Sequence, residues 1–408
     1  MVEKPPILFI TYYYPPDQAS GAIRPGRLVK YLERLGHSVQ VLSATNELKP
    51  VIQGNVHRLR AAEASKPGFD PIYRFDREIL RRSLFVQDAG ATWVPRAVSY
   101  AKRWMRVNPK PVVISSAPPI TIHLAGLWLK KRFGVRWLAD CRDPIVGNPF
   151  RLDPRHRFFD PIFERAIFSA ADVVIANTDT VLESWKRRYP KWQTKCHVLW
   201  NGFDPEEVVV PLPLPDTGCR VIAHIGALYG ERNPIPFLES LRRLRQAEPS
   251  ARNVRTLFVG SADGRIRRGM EPFVQEGLAE VRAEMPRPEA QRLMGSAHYL
   301  LLLDVTGQQA GLQVPAKLFE YVRIGRPIIA CTTADSAVDR ILRRSGVPYL
   351  GLYPQRSSEE NDRRLLEFLK SEWPPAELSK WFVETFEGSR QAAFLSSLID
   401  SLWERSRA

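Results

Sequence analysis

Between Val314 and Ala330 the chain reads VPAKLFEYVRIGRPIIA. Lys317 and Glu320 stand three residues apart and share one face of a short helix, while Leu318 and Val322 share another that can be buried. A charged pair in that place either meets a ligand or forms a solvated pair on a surface helix. Gly307 to Val314, rich in Gly and Gln, lies directly upstream and should line a site. A second set of residues lies nearer the middle of the chain. Gly226 ends an apolar run and Arg232 stands just before a helix that begins near Asn233 and Pro234. Close backbone approach and a fixed cation are two requirements of diphosphate binding, although Arg232 also suits a plain helix-end arginine. Gly260 ends a further run, Val254 to Val259, where a ligand can again come close. A third set is Asp140, Arg142 and Asp143, two acids and an arginine at the carboxyl end of a strand. Such groups face a cleft, or they form a salt bridge that fixes the following Pro144 loop.

The elements that must hold these residues follow from apolar runs and punctuation. Tyr299 to Leu303 reads as a strand, Pro315 suits a first helical position, Gly325 a helix stop, and Pro327 to Ala330 the next strand. Ligands sit beyond the carboxyl ends of the strands in such units. The chain opens in the same way, with Ile7 to Thr11 as a buried strand, a loop containing Gly21, a helix from Arg24 onward and a second strand. A glycine before a helix lets backbone amides approach a phosphate or a sugar, but one glycine is also an ordinary turn, and the three spaced glycines of a dinucleotide fingerprint are missing. That counts against a nicotinamide dehydrogenase. Glu47 to Val94 reads as an irregular insert with one or two helices, including one over Tyr73 to Leu84. His123 falls early in a helix from about Ile120 to Phe133, where a lone histidine is more often packed than reactive. Pro205 to Gly218 holds four prolines and little apolar pattern, which suits a stiff interdomain linker. Strand and helix alternation restarts at Arg220. The expected division is therefore residues 1–205, 206–384 and a last helix within 385–408.

At 408 residues and 44% hydrophobic the chain suits two α/β domains, each with its own core. No run of eighteen apolar residues occurs, and the N-terminus lacks the basic flank and cleavage site of a signal peptide, so a cytoplasmic protein is expected. Cys141, Cys196, Cys219 and Cys331 are scattered without metal-ligand spacing, which suits reduced thiols and no structural metal. The formal charge is +15, and Arg96 to Arg165 holds 14 Lys or Arg against 5 Asp or Glu. With Trp93, Trp104, Trp128 and Trp137 in or beside it, this segment suits an anionic membrane surface, with solvated charge as the alternative. No recognised nucleic-acid module is visible, so no nucleic-acid partner is expected.

The stretch around Glu320 resembles the donor-binding segment of GT-B glycosyltransferases of the family 4 type. Further likeness lies in the first strand and loop, in ADCRDP at Ala139 to Pro144, which is similar to the ADxRDPW pattern of bacterial polysaccharide glycosyltransferases, and in WNGFD at Trp200 to Asp204, similar to VxNGFD. The resemblance implies two Rossmann-like domains facing across a cleft, an acceptor on the first, a nucleoside-diphosphate sugar on the second, UDP or GDP being the first bases to consider, and a C-terminal helix returning to the N-terminal domain. It implies that Glu320 holds the ribose. A second acid usually stands eight positions earlier, where this chain has Leu312, so the sugar contact falls to Gln313, to amides near Gly311, or to nothing. The family's arginine after the glycine is here Ala227 and its lysine is Arg232. A histidine near the donor sugar is replaced by Arg142, with His123 as a substitute. Asp140, Arg142, Asp143 and His123 are the catalytic candidates; Gly21, Gly226, Arg232, Gly260, Leu312, Gln313, Lys317 and Glu320 are the donor-binding ones. Family membership implies retention of configuration. No cofactor beyond the donor and no metal is expected, since no Asp-x-Asp pair ends a strand and Arg232 with Lys317 can offset the leaving diphosphate's charge. The implied acceptor is a saccharide, on a lipid carrier, in assembly of a capsule, O-antigen or exopolysaccharide, with the protein cytoplasmic and peripheral at the inner face of the cell membrane. Two alternatives share the pattern: a sugar-nucleotide epimerase, and a non-catalytic binding protein with a degenerate site.

Overall fold

The computed structural model describes residues 4–17, 20–45, 47, 49–61, 88, 90–148, 151, 153–216 and 218–404. The helix expected over Tyr73 to Leu84 lies outside them. The chain divides into two compact units, one running to Asp204 and resuming at Gly388, the other Pro205–Glu387.

The first unit is built on an eight-stranded sheet ordered β3-β4-β2-β1-β5-β6-β7-β8. Its strands are β1 (Ile7–Thr11), β2 (Val39–Thr45), β3 (Val51–Gln53), β4 (Val56–Arg60), β5 (Val112–Ala117), β6 (Arg136–Cys141), β7 (Val173–Ala176) and β8 (Cys196–Val198). All neighbours are parallel except β3 and β4. β1 is buried along its whole length, as an apolar run with no alternation demands when helices cover both faces of a parallel sheet. β3 and β4 correct the reading of Glu47 to Val94 as irregular. VHRLR carries only two apolar side chains, and pairing with β2, rather than its own pattern, makes it a strand.

Helix Gly388–Glu404 belongs to this unit. Its Ala392, Leu395, Ile399 and Leu402 join one core with Leu28, Val29 and Leu32 of helix Ser20–Arg34. Polar contacts fix the register: Arg27 donates to Gln391 at 3.2 Å, and the His37 ring is 2.7 Å from the Ser396 hydroxyl. The same N-terminal helix explains the WNGFD stretch. Arg27 donates to the Gly202 carbonyl, Lys30 pairs with Asp204 at 2.7 Å, and the Tyr31 hydroxyl donates to Asp204 at 2.7 Å.

The second unit holds a six-stranded, wholly parallel sheet ordered β11-β10-β9-β12-β13-β14. These strands are β9 (Arg220–Ile225), β10 (Val254–Val259), β11 (Ala279–Arg282), β12 (Tyr299–Leu303), β13 (Ile328–Cys331) and β14 (Tyr349–Leu352). The order reverses between β9 and β12, so the loops leaving these two strands part there and open a crevice at their carboxyl ends. The proline-rich stretch after Asp204 is not a free spacer. It is strapped to the second unit by Leu212, whose amide donates to the Gly295 carbonyl at 2.9 Å, and by Arg323 and Arg326, which donate to the carbonyls of Glu207 and Leu212.

The aromatic part of the surface reading needs correction. Trp93 and Trp137 are fully buried, with their indole N–H groups donating to the Leu59 carbonyl and the Ser115 hydroxyl. Both are core residues, because the basic residues around them lie on other faces of their elements. Trp128 and Phe133 do reach solvent, with Lys131 and Arg132 exposed beside them, whereas Lys130 is tied to Asp172 at 2.7 Å. Among the described residues no helix is long and apolar enough to cross a membrane.

Candidate functional site

In the second unit the loops leaving β9, β10 and β12 and the start of helix Lys317–Ile324 converge. Gly226 has φ +126° and Gly260 φ +136°, values that disfavour any side chain. A Cβ on Gly260 would lie 2.7 Å from the Gly226 carbonyl oxygen, so the two turns touch through bare backbone. The Gly226 amide donates to the Val259 carbonyl at 2.7 Å and Leu228 to Ser261 at 2.8 Å, which locks the pair of turns. A Cβ on Gly226 would meet the Lys317 ammonium at 2.6 Å. The glycine is needed because a lysine from another element fills that space.

Helix Lys317–Ile324 stops at Gly325 in the left-handed region, φ +73°, and buries Leu318, Phe319, Tyr321 and Val322. The Tyr321 hydroxyl accepts from the Ile225 amide at 2.9 Å and so pins the helix to the end of β9. This fixes Lys317, whose Nζ is 3.2 Å from His224 Nε2. Burial, then the nearby Arg232 guanidinium, brings the Lys317 ammonium down to about 7. Arg232 is held over the Tyr229 ring and donates to its hydroxyl at 2.6 Å. Glu320 is half-buried and ion-paired with Arg287, which also binds Glu207 at 2.8 Å. Burial raises the Glu320 carboxyl and Arg287 draws it partly back. Leu312 and Gln313 lie half-buried in the loop before that helix. Asp304, just past β12, is buried and accepts from the Thr332 hydroxyl at 2.7 Å and the Val305 amide at 2.8 Å. Burial pushes it up to about 6.

A cavity of about 870 Å³ opens on the same unit, lined by Asn233, Asp263, Asp304, Tyr353 and Arg356, among others. It shares the Gly230–Glu231 turn with the site above, but neither Lys317 nor Glu320 lines it.

The first unit treats its candidates differently. Asp140 is 2% exposed. Arg24 reaches it at 2.7 and 3.3 Å, the Ser116 hydroxyl donates at 2.7 Å, and Arg24 also donates to the carbonyls of Leu199 and Trp200. Asp140 is thus a buried ion pair that presents no surface to a substrate. Arg142 is 5% exposed and spends its guanidinium on backbone, donating to Ala117 and Pro118, each at 2.9 Å, and to Gly21. Burial lowers it to about 10. It clamps the start of the N-terminal helix to the turn after β5. Gly21 itself lies inside that helix, which begins at Ser20 rather than at Arg24, so its amide is in the first helical turn and not in a free loop. His123 is fully buried between Ser115 at 2.8 Å and Cys141 at 3.4 Å, and burial lowers it to about 4. That makes it a neutral core histidine. Asp143 alone of the four catalytic candidates is half-exposed. Sequence reasoning missed His224, Arg287, Glu207 and Asp304. The polar interruptions of apolar runs at His224 and Asp304 were visible signals, whereas Glu207 and Arg287 are 80 residues apart and carry none.

Residues 26–207 match the model described as Glycosyltransferase Family 4. The match spans less than half of the chain, and with the fold it marks a glycosyltransferase of GT-B architecture. This glycosyltransferase is 22% identical over 329 residues, 69% of its length and 78% of the relative's, to WcaL of Escherichia coli (strain K12), named as a colanic acid biosynthesis glycosyltransferase. Among solved structures it is similar to the lipopolysaccharide outer core galactosyltransferase WaaB, with TM-score 0.62 and 14% identity over 97% of this chain and 99% of that one. It is also similar to a UDP-N-acetylglucosamine 2-epimerase, with TM-score 0.58 and 12% identity over 100% and 97%. At such identities the structural likeness concerns the fold alone. The family match falls on the N-terminal unit of this glycosyltransferase, and the candidate donor residues of the second unit rest on their own geometry.

Proposed function

We propose that this glycosyltransferase moves a sugar from a nucleoside-diphosphate donor to a saccharide acceptor in assembly of a cell-surface polysaccharide. The sequence relative named for colanic acid biosynthesis supports the pathway class. The donor is held by the second unit. The observation that carries this is the convergence of two cations and one acid on the paired glycine turns: Arg232 and Lys317 beside Gly226 and Gly260, with Glu320 a turn further along the helix. Bare backbone admits a diphosphate, the cations offset the charge that develops on it as the glycosidic bond breaks, and the carboxylate accepts from ribose hydroxyls. In this chain the ribose must share Glu320 with Arg287. Fixed cations in place of a metal, and retention of configuration, complete the proposed mechanism. The acceptor belongs to the first unit and is carried on a membrane lipid, which Lys131, Arg132, Trp128 and Phe133 suit by charge and exposure. The epimerase reading needs acid and base groups at the sugar ring. Among the described residues the histidine at the site is His224, which is buried and occupied by Leu301 and Lys317.

The test is calorimetric titration of UDP, GDP, ADP and dTDP into the protein and into Glu320→Ala. We expect one nucleotide class to bind and the variant to lose about 10-fold or more, because a buried hydroxyl pair loses its charged acceptor. Equal affinity in the variant would remove Glu320 from the donor site.

A further inference from the structure

The arginine that family resemblance places after Gly226 is Ala227 in this chain, so the phosphate turn lacks a cation on its own strand. The space over that turn is not empty. We propose that Lys317, seated by His224 against the Gly226 backbone, supplies the second diphosphate cation from the helix that follows the neighbouring strand β12. This rests on the donor-site reading above and deepens it. His224 is the positioning residue. Its Nδ1 is 2.9 Å from the Leu301 carbonyl, and a carbonyl only accepts, so Nδ1 carries the proton and Nε2 is the acceptor. Lys317 therefore donates to Nε2 and keeps its remaining N–H bonds for the Gly226 turn. His224 stands inside an apolar strand, VIAHI, where its ring packs against Phe258 with centroids 5.9 Å apart while its two nitrogens face Leu301 and Lys317. The polar part of that role is a rest for the lysine.

Donor binding is then coupled to a proton. Facing Lys317 are His224 on β9, Arg232 on the following loop and Glu320 on its own helix. Arg287 and Glu207 lie behind Glu320, Asp304 stands near Arg232 past β12, and the Tyr321 hydroxyl caps β9. Between pH 7 and 9 Lys317 changes charge, whereas Asp304 ionises near 6, His224 is held far below its ordinary value by burial, and Tyr321 is raised above its own. With Lys317 at about 7, the donor-free protein is mostly neutral there at pH 8. A diphosphate stabilises the charged form, so binding takes up a proton and affinity falls as pH rises above 7.

The experiment is calorimetric titration of the nucleoside diphosphates UDP, GDP, ADP and dTDP at pH 8 in HEPES and in Tris, which differ in ionisation enthalpy. Wild type, Lys317→Met, Lys317→Arg, His224→Gln and Glu320→Gln are compared. We expect proton uptake by wild type and none by Lys317→Met, a 10- to 100-fold weaker affinity in Lys317→Met, and partial rescue by Lys317→Arg without proton uptake. His224→Gln should keep the affinity within a few fold but alter the proton uptake, which a merely structural histidine would not do. Lys317→Met at wild-type affinity, with Glu320→Gln still weakened, would overturn the lysine proposal alone. Absence of binding by wild type to all four nucleotides would overturn the donor-site reading and the proposal together.

Discussion

Asp140→Ala separates a reactive carboxylate from a structural one. Arg24 and Asp140 have side chains 3% exposed each, joined at 2.7 Å, and Arg24 is further bound by the carbonyls of Leu199 and Trp200. Removing the acid leaves a guanidinium buried with carbonyls but no counter-charge, and the Ser116 hydroxyl without its acceptor. Breaking one side of a buried pair costs about 3–5 kcal/mol. For a unit of this size that corresponds to a fall in melting temperature on the order of 6–20 °C. Hydrogen exchange at the amides of β5 and β6 reads the N-terminal unit by itself, and protection there should drop by two to four orders of magnitude, about 1.4 kcal/mol per order. The Asn variant keeps the shape and part of the hydrogen bonding, so it should fall between Ala and wild type. An Asp140→Ala protein whose protection stays within about 0.5 kcal/mol of wild type would refute the structural role and return Asp140 to the catalytic candidates.

Two further outcomes are expected. The folded-state value of Asp304, about 6, lies above the ordinary 3.8, so the unfolded chain loses this proton first as pH rises and the protein loses stability between about pH 4 and 6. Asp304→Asn should therefore be more stable than wild type at pH 7.5 by on the order of 2–3 kcal/mol, with the gap closing toward pH 4 in urea titrations. Sedimentation with anionic phospholipid vesicles should weaken in Lys131→Glu/Arg132→Glu but change little in Lys130→Gln, whose lysine is engaged by Asp172; equal losses would mean that the exposed pair has no special part.

Much of the architecture was legible because apolar runs without alternation, such as ILFIT and YLLLL, suit only strands covered on both faces. Gly325 and Pro327 likewise marked a helix stop and a strand start, and the candidate site residues Gly226, Arg232 and Lys317 stood out because chemistry and turn geometry coincide there. What local pattern could not decide is where a polar side chain spends its hydrogen bonds. Asp140 and Arg142 sit two residues apart in a suggestive motif, yet tertiary packing brings Arg24, 116 residues away, onto the first and the backbone of Gly21 onto the second. Trp93 and Trp137 read as surface aromatics among basic residues, and the core took both. The sequence determined which segments become strands and helices, since that depends on neighbours a few residues apart. The tertiary structure alone decided which charges meet, because Arg287 to Glu207, Lys317 to His224 and Arg24 to Asp140 are pairings between separate elements, and burial lowers Lys317 and His224 only once those elements have docked.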